Sequence, residues 1–413
     1  MVGESIERTV VVVGAGQAGC QAASSLRQDG FVGRLILVGA ESHLPYQRPP
    51  LSKGHLTRTA PRDSLWFRPH AWYRDNDVEL HLGRTIDAID RTGRTIHCGE
   101  QRINYDVLVL ALGARNRALD VPGAGLEGVL SLRSLDDADA LLKRLDTADD
   151  IVIVGGGFIG LEVAATAAAL GKRTTVLEVS ERLMGRAVSN GTAEFLLQAH
   201  RSRGLTIELG TTVVELVGRG GAVEAVLTSD GGRIPAQLVL VGIGAAPETH
   251  LAAEAGLEID NGIAVDEYLR TSDPDIYAIG DCVSCPNPYA GGARIRLESV
   301  QNAVSQGRLV AAAILGHPAP YDAVPWFWSD QADIKLQIAG LSLGHTEVVI
   351  KGDVAARRFS TYCFAGERLI GVESVNSPGD HLAARRLISA AETVSPAEVR
   401  ADGFNPKVAA RKH

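Results

Sequence analysis

The sequence predicts an α/β chain with two Rossmann-like dinucleotide-binding domains, the second inserted in the first, and a C-terminal α+β domain. Three observations predict it. A strand–GxGxxG–helix signature occurs twice. Apolar strands that would complete the first unit lie on both sides of the second. From residue 325 onward the patterning changes to alternating strands closed by one helix.

The first signature is "TVVVVGAGQAG". A β-branched run, Thr9 to Val13, breaks at Gly14, and small residues continue at helical spacing through Gly16, Gln17, Ala18 and Gly19. The first glycine permits the tight turn, the second lets a pyrophosphate approach the backbone, and the third brings helix and strand together. The helix N-terminus then faces the phosphates. A second strand, "RLILVGAE", ends near Glu41. The signature returns in "DIVIVGGGFIG", with Gly155, Gly157, Phe158, Ile159 and Gly160, and its second strand ends at Glu178. One GxGxxG is a weak signal and fits a glycine-rich turn without a nucleotide. Two, each inside its own βαβ unit, point to two nucleotides.

The closing strands follow. "YDVLVLALGARNR" ends at Ala111, Leu112 and Gly113, with Arg115 just beyond, and "AQLVLVGIGAAPET" closes the second unit through Gly242, Ile243 and Gly244. "LRTSDPDIYAIGDCVS" then delivers Gly280 and Asp281 after a short apolar stretch. The expected domains are 1–116 with 244–324, 117–243, and 325–413. Within the last, "KLQIAGLSLGHTEVVIKGDVAARRFSTYCF" and "RLIGVESVN" read as antiparallel strands, and "GDHLAARRLISAAE" as a helix.

Composition narrows the function. The chain of 413 residues is 45% hydrophobic and 22% charged, as expected of a soluble globular protein. A net charge of −8 weighs against nucleic acid. No apolar run has the length of a membrane span, and "MVGESIER" lacks the basic-then-apolar pattern of a secretory leader. Five scattered cysteines argue against a disulfide framework. A cytoplasmic location is expected.

The segments "VVGAGQAG", "LPYQRPPLSK", "LALGAR", "VGGGFIGLE", "YAIGDC", "RLESVQNAVSQG" and "PWFWSDQ" occur in this order. In them the chain resembles the flavoprotein reductases that pass electrons from NADH to ferredoxin-, putidaredoxin- and rubredoxin-type proteins. It is more distantly similar to apoptosis-inducing factor. The glycine motifs are generic, whereas "RPPLSK" and "PWFWSDQ" are specific. The resemblance implies FAD in the split domain and NADH in the inserted one. It also implies a small 2Fe–2S ferredoxin as acceptor, itself serving a monooxygenase or ring-hydroxylating dioxygenase.

The resemblance also assigns roles. The three prolines of "LPYQRPPLSK" would hold Arg48 along the FAD pyrophosphate or ribityl chain and Lys53 near the flavin, with Glu162 as its partner. Gly280 and Asp281 would meet the ribityl hydroxyls, and the helix from Ser299 and Val300 would aim its N-terminus at the flavin pyrimidine. Trp328 would lie at the flavin edge; its alternative, shared with Trp326, is a core role. Glu178, about twenty residues past its glycine turn, suits a ribose diol and repels a 2′-phosphate, so NADH is favoured over NADPH although Arg182 is close. In the first unit Ala40 stands where relatives carry an acid, and Glu41 is assigned the ribose contact. Arg308, Lys407, Arg411 and Lys412 are candidates for a basic face toward an acidic ferredoxin. A monomer or homodimer is expected, with no metal site.

Cys282 and Cys285 form C-x-x-C and raise an alternative, a thioredoxin-reductase-like disulfide reductase. Their place after the Gly-Asp pair, and the lack of cysteine between Cys20 and Cys98, argue for loop or core cysteines instead. Cys20 and Cys363 are expected to pack as small apolar residues. A second alternative is an interaction protein in the manner of apoptosis-inducing factor.

Overall fold

The structure, a computed structural model, describes residues 8–390 and 394–411; the "MVGESIE" start, Ala391, Glu392 and Lys412 lie outside the described residues. The chain forms two compact units, one of Met1–Gln47, Arg62–Arg115 and Ala246–Pro325, the other of Arg48–Pro61, Asn116–Ala245 and Trp326–His413.

In the first unit a parallel sheet runs in the order Ile276–Ala278, Val107–Leu110, Thr9–Val13, Arg34–Gly39, Val78–Leu82. Val10, Val11, Val12, Leu35, Ile36 and Leu37 are fully buried, which is why these strands read as unbroken apolar runs. Ile276–Ala278 pairs with Val107–Leu110, so chain from both sides of the insertion completes one sheet. Helix Gln17–Gln28 packs on helix Val300–Ile314. Gly307 permits the approach, since a Cβ there would stand 2.9 Å from the Ala18 carbonyl oxygen. A small antiparallel sheet of Ala88–Asp90, Thr95–Cys98 and Gln101–Asn104 is an addition to the sequence reading.

In the second unit the parallel sheet runs Thr206–Leu209, Arg173–Glu178, Asp150–Val154, Leu238–Val241, Val129–Ser131. A second, antiparallel sheet joins Val213–Arg219, Ala222–Thr228 and Arg233–Pro235. The C-terminal sheet is antiparallel throughout, in the order Trp326–Gln331, Ile334–Gly340, Arg368–Val375, Arg358–Ala365, Glu347–Asp353. Helix Pro378–Ser389 packs against it. Arg48–Pro61, with Pro49 and Pro50 of the proline-rich segment, belongs to this unit. Its 3-10 turn, Pro49–Ser52, packs on helices Leu135–Thr147 and Phe158–Ala169.

Helix Asn190–Arg201 meets the C-terminal sheet across polar side chains. Glu373 is fully buried, and its carboxyl accepts from the Ser189 N–H and the Ser189 hydroxyl, both at 2.7 Å. Thr192 and Thr361 touch beside it at 3.3 Å. Removing the carboxyl strands the buried Ser189 N–H and leaves the Ser189 hydroxyl only the longer contact to Thr192 at 3.3 Å, which costs more than a surface contact. Glu373→Ala should lower the unfolding free energy by about 3 kcal/mol, read from urea melts, with Glu373→Gln losing less.

Candidate active site

The two glycine turns are built alike. The Gly14 N–H donates to Val38 and the Gly155 N–H to Leu177, each at 2.8 Å. Gly14 has φ +112° and Gly155 φ +110°. A Cβ on Gly14 would stand 2.1 Å from the Ala111 carbonyl oxygen, and one on Gly155 would stand 2.4 Å from that of Gly242. The turns therefore demand glycine on both steric and conformational grounds.

Gly16 and Gly157 differ from these. A Cβ on either meets nothing within 4 Å, so both border open space. Each is the N-cap of its helix and supplies no side-chain acceptor for the first-turn N–H groups. By contrast Ser134, Ser189 and Ser299 cap their helices with hydroxyls. An open, uncapped, glycine-lined helix start suits a pyrophosphate. Two such helix starts lie among the described residues, and the residues present fit FAD at one and a nicotinamide dinucleotide at the other.

The acids beyond the second strands are held differently. Glu178 accepts from the Gly156 N–H at 2.6 Å and the Ser180 N–H at 2.8 Å, tying the strand end to its glycine turn. Glu41 lies two residues past its strand and accepts from the Tyr46 hydroxyl at 2.5 Å. Arg182 donates to the Gly185 and Val188 carbonyls at 2.5 and 2.9 Å, so its guanidinium serves its own loop.

Other predicted residues of the first unit sit at turns. Gly113 and Gly280 have positive φ, and the Gly280 N–H donates to the buried Gln306 at 2.7 Å. Arg296 reaches toward the Asp281 carbonyl at 3.5 Å and pairs with Glu298. Ser299 accepts from the Asn302 N–H at 3.0 Å, ahead of helix Val300–Ile314. Arg115 pairs with Glu248 at 3.2 Å. Sequence reasoning missed Gln306, Arg296 and Glu248.

In the second unit the structure brings Lys53 and Glu162 together. Lys53 Nζ lies 2.6 Å from Glu162 Oε2, with the carboxylate 6% and the lysine 22% exposed. The same oxygen accepts from the Ser52 hydroxyl at 2.6 Å, and Oε1 accepts from the Ser329 hydroxyl at 2.6 Å. Three donors on one buried carboxylate offset its desolvation. Further contacts fasten the loop around Lys53. Arg48 donates to the Arg133 carbonyl at 2.5 Å, His55 meets Asp139 at 2.8 Å, Arg58 meets Asp146 at 2.7 Å, and Thr166 donates to the Ser52 carbonyl at 3.0 Å. Phe158 packs on Phe327, ring centroids 4.5 Å apart, and Ile159 is exposed. Trp328 is half-buried, 5.7 Å from the Trp326 ring, over which the Arg385 guanidinium sits. Ser52 and Ser329, which complete the Glu162 shell, were missed.

Residues 8–307 match the family model described as pyridine nucleotide-disulphide oxidoreductase, and residues 326–409 the one described as reductase C-terminal. The chain belongs to the pyridine nucleotide-disulphide oxidoreductase family. It is 45% identical over 406 residues to rhodocoxin reductase of Rhodococcus erythropolis, covering 98% of this chain and 95% of the relative. It is 38% identical over 394 residues to putidaredoxin reductase of Pseudomonas putida, covering 94% and 93%. Its fold matches the solved covalent putidaredoxin reductase–putidaredoxin complex with a TM-score of 0.95 at 36% identity, covering 98% of this chain and 99% of that one. The ferredoxin-reductase resemblance of the motifs thus extends over nearly the whole chain, and the cofactors of this oxidoreductase are FAD and NAD(H). Among the described residues no helix is long and apolar enough to cross a membrane.

The family name includes disulphide chemistry, so the cysteines of this oxidoreductase matter. All five are free thiols. Cys282 is fully buried and lies 3.4 Å from the Ile279 carbonyl; Cys285, 4% exposed, lies 3.6 Å from that of Asp266. Burial pushes the Cys282 thiol up to about 11 and the Cys285 thiol up to about 12. The thiolate is the reactive form, so near pH 8 only about one part in a thousand or less is available. Native protein at about pH 8 should leave both cysteines unlabelled by iodoacetamide in peptide mapping, while urea-unfolded protein labels both.

Proposed function

We propose that the protein is an NADH:ferredoxin reductase that delivers single electrons to a small 2Fe–2S ferredoxin serving a monooxygenase or ring-hydroxylating dioxygenase. The observation that carries this is the state of its cysteines beside two dinucleotide cradles. A disulfide reductase needs an accessible, low-pKa dithiol; Cys282 and Cys285 are buried with raised pKa values. Electrons received from a nicotinamide then have no protein dithiol to leave through and pass to an external acceptor. Rhodocoxin reductase and putidaredoxin reductase, the similar proteins, are named for such acceptors. Five free thiols also suit a cytoplasmic site of action, as monomer or homodimer.

Bound FAD supplies the exchange between hydride and single-electron chemistry. The chain's residues bind and tune it. Gly14, Gly16 and Gly19 hold the FAD pyrophosphate, with Glu41 on the ribose, Arg48 and Asp281 along the ribityl end, and Ser299 and Val300 starting the helix that faces the pyrimidine. Gly155, Gly157 and Gly160 hold the NADH pyrophosphate, and Glu178 takes the ribose diol. Lys53 is the cation that favours a reduced flavin, and Glu162 holds it in place. Trp328 shields the flavin edge. Arg308 in the first unit, and Lys407 and Arg411 in the second, are candidate contacts for an acidic ferredoxin.

Purified protein mixed with NADH and a panel of 2Fe–2S ferredoxins should reduce at least one at about 1–1,000 turnovers per second, the ordinary enzyme range. The Cys282→Ser/Cys285→Ser double variant should keep that rate. NADH oxidation without reduction of any ferredoxin, or collapse of turnover in the double variant with FAD still bound, would sink the proposal. Glu178 sets the nicotinamide preference: wild type should favour NADH, and Glu178→Arg should weaken NADH by about 1–3 kcal/mol while improving NADPH relative to it. Steady-state kcat/KM for both nucleotides measures this, and a wild-type preference for NADPH would remove the role given to Glu178.

A further inference from the structure

Behind Glu162 lies a chain of hydrogen bonds that the cofactor roles leave unused. Ser329 and Gln331 are two residues apart on strand Trp326–Gln331, so their side chains share a face. Both are fully buried. Gln331 Nε2 lies 3.1 Å from Ser329 Oγ, and Gln331 Oε1 lies 2.7 Å from Nε2 of His200, which is itself fully buried.

The donors can be assigned from the inventory of each group. The Glu162 carboxylate accepts only, so the single Ser329 hydroxyl proton goes to Oε1. Ser329 Oγ is then an acceptor toward Gln331, which sends its amide N–H there. The amide nitrogen also faces the Met184 sulfur at 3.9 Å, so the amide oxygen is the end that faces His200. An oxygen acceptor requires His200 to carry its proton on Nε2. Nδ1 has no partner, and burial pushes the imidazole below its ordinary range, in keeping with a neutral ring. The chain is therefore one-way: His200 donates to Gln331, Gln331 to Ser329, and Ser329 to Glu162.

We propose that His200, Gln331 and Ser329 are positioning residues that lock the Glu162 carboxylate from behind and so hold Lys53 for flavin reduction. This rests on the role proposed above for Lys53 and Glu162. The carboxylate has two oxygens and two sides. Lys53 and Ser52 hold Oε2 from the proline-rich loop, while among the described residues Ser329 holds Oε1, from the C-terminal sheet. Without the Ser329 hydroxyl, Oε1 loses its donor and the carboxylate is held from the loop side alone, so its orientation against Lys53 is less firmly fixed. The C-terminal domain would thus act on the reductive step as well as at any docking surface.

The test uses holoenzyme variants Ser329→Ala, Ser329→Thr and Gln331→Met, each in the wild-type and the Glu162→Gln background. Stopped-flow flavin reduction by NADH and the flavin midpoint potential are both read, with FAD content and melting temperature as folding controls. Ser329→Ala should slow reduction about tenfold, the kinetic equivalent of one net hydrogen bond. It should also lower the flavin midpoint potential, because the cation that favours reduced flavin is held less firmly. Ser329→Thr, which keeps the hydroxyl, should restore most of both, and Gln331→Met should fall between. In the Glu162→Gln background Ser329→Ala should add little, because its effect passes through that carboxylate. Equal losses in both backgrounds, or a silent Ser329→Ala beside a slow Glu162→Gln, would overturn the positioning chain alone. A silent Glu162→Gln would overturn both the chain and the role of the Lys53–Glu162 pair.

Discussion

Each nucleotide fold depends on one backbone contact. The carbonyl oxygen of the turn glycine presses against the third glycine of the motif, leaving no room for a side chain. A Cβ on Gly19 would lie 1.9 Å from the Gly14 oxygen, and one on Gly160 would lie 2.3 Å from the Gly155 oxygen. The contact draws each helix onto the end of its strand and leaves the helix start open at Gly16 and Gly157. It also fixes the rotation of the helix. Gly160 faces the sheet, so Glu162, two residues on, is turned about 200° away. That direction carries it to Ser52, Lys53 and Ser329. The glycine that lets the helix meet its strand thereby also aims the carboxylate.

A buried ion pair is a poor source of stability, because desolvation of both charges consumes most of the Coulomb gain. The Lys53–Glu162 pair is therefore better explained by chemistry than by folding. Its setting supports this. The second unit keeps hydroxyl and amide groups at fully buried positions, Ser329 and Gln331 behind Glu162 and Thr192, Thr361 and Ser374 elsewhere, where aliphatic residues would pack more simply. Such groups hold a unique arrangement only when each finds its partner. Here Ser189 finds Glu373, Gln331 finds His200, and Ser360 finds Ser374 at 3.0 Å, whereas His200 Nδ1 and the Tyr362 hydroxyl are left unpaired.

What was legible in the sequence was local. The glycine motifs, the β-branched runs and the helix after Ser299 each lie within about thirty residues and announce themselves by period and punctuation. The insertion was legible because Ile276–Ala278 reads as a strand without a sheet of its own. Lys53 and Glu162 are 109 residues apart, and no spacing joins them; the resemblance of "RPPLSK" supplied that pair. The shell behind it, 167 residues from Glu162 to Ser329, had no such guide. Its one local trace is Ser329 and Gln331 themselves, polar residues sharing a face of a strand that begins with three aromatics. The sheet of Ala88–Asp90, Thr95–Cys98 and Gln101–Asn104 was missed because strands of three or four residues give too few alternations to register.

The prolines of "LPYQRPPLSK" follow from the same energetics. Ordering a loop residue costs about 1–2 kcal/mol of backbone entropy. A lysine held in a single position needs a loop that is ordered before any cofactor arrives. Pro49 and Pro50 start the 3-10 turn Pro49–Ser52, and their fixed φ narrows the unfolded alternatives of the segment. The turn then sets Ser52 and Lys53 side by side, so that both reach the same Glu162 oxygen. The remaining anchors, His55 to Asp139 and Arg58 to Asp146, hold the far end of the loop, where Arg58 takes a positive φ of 57°. A flexible loop with the same charges would form these contacts only part of the time and would lose most of their worth to its own entropy. Stiffness at Pro49 and Pro50 is what lets a partly buried lysine keep its place against Glu162.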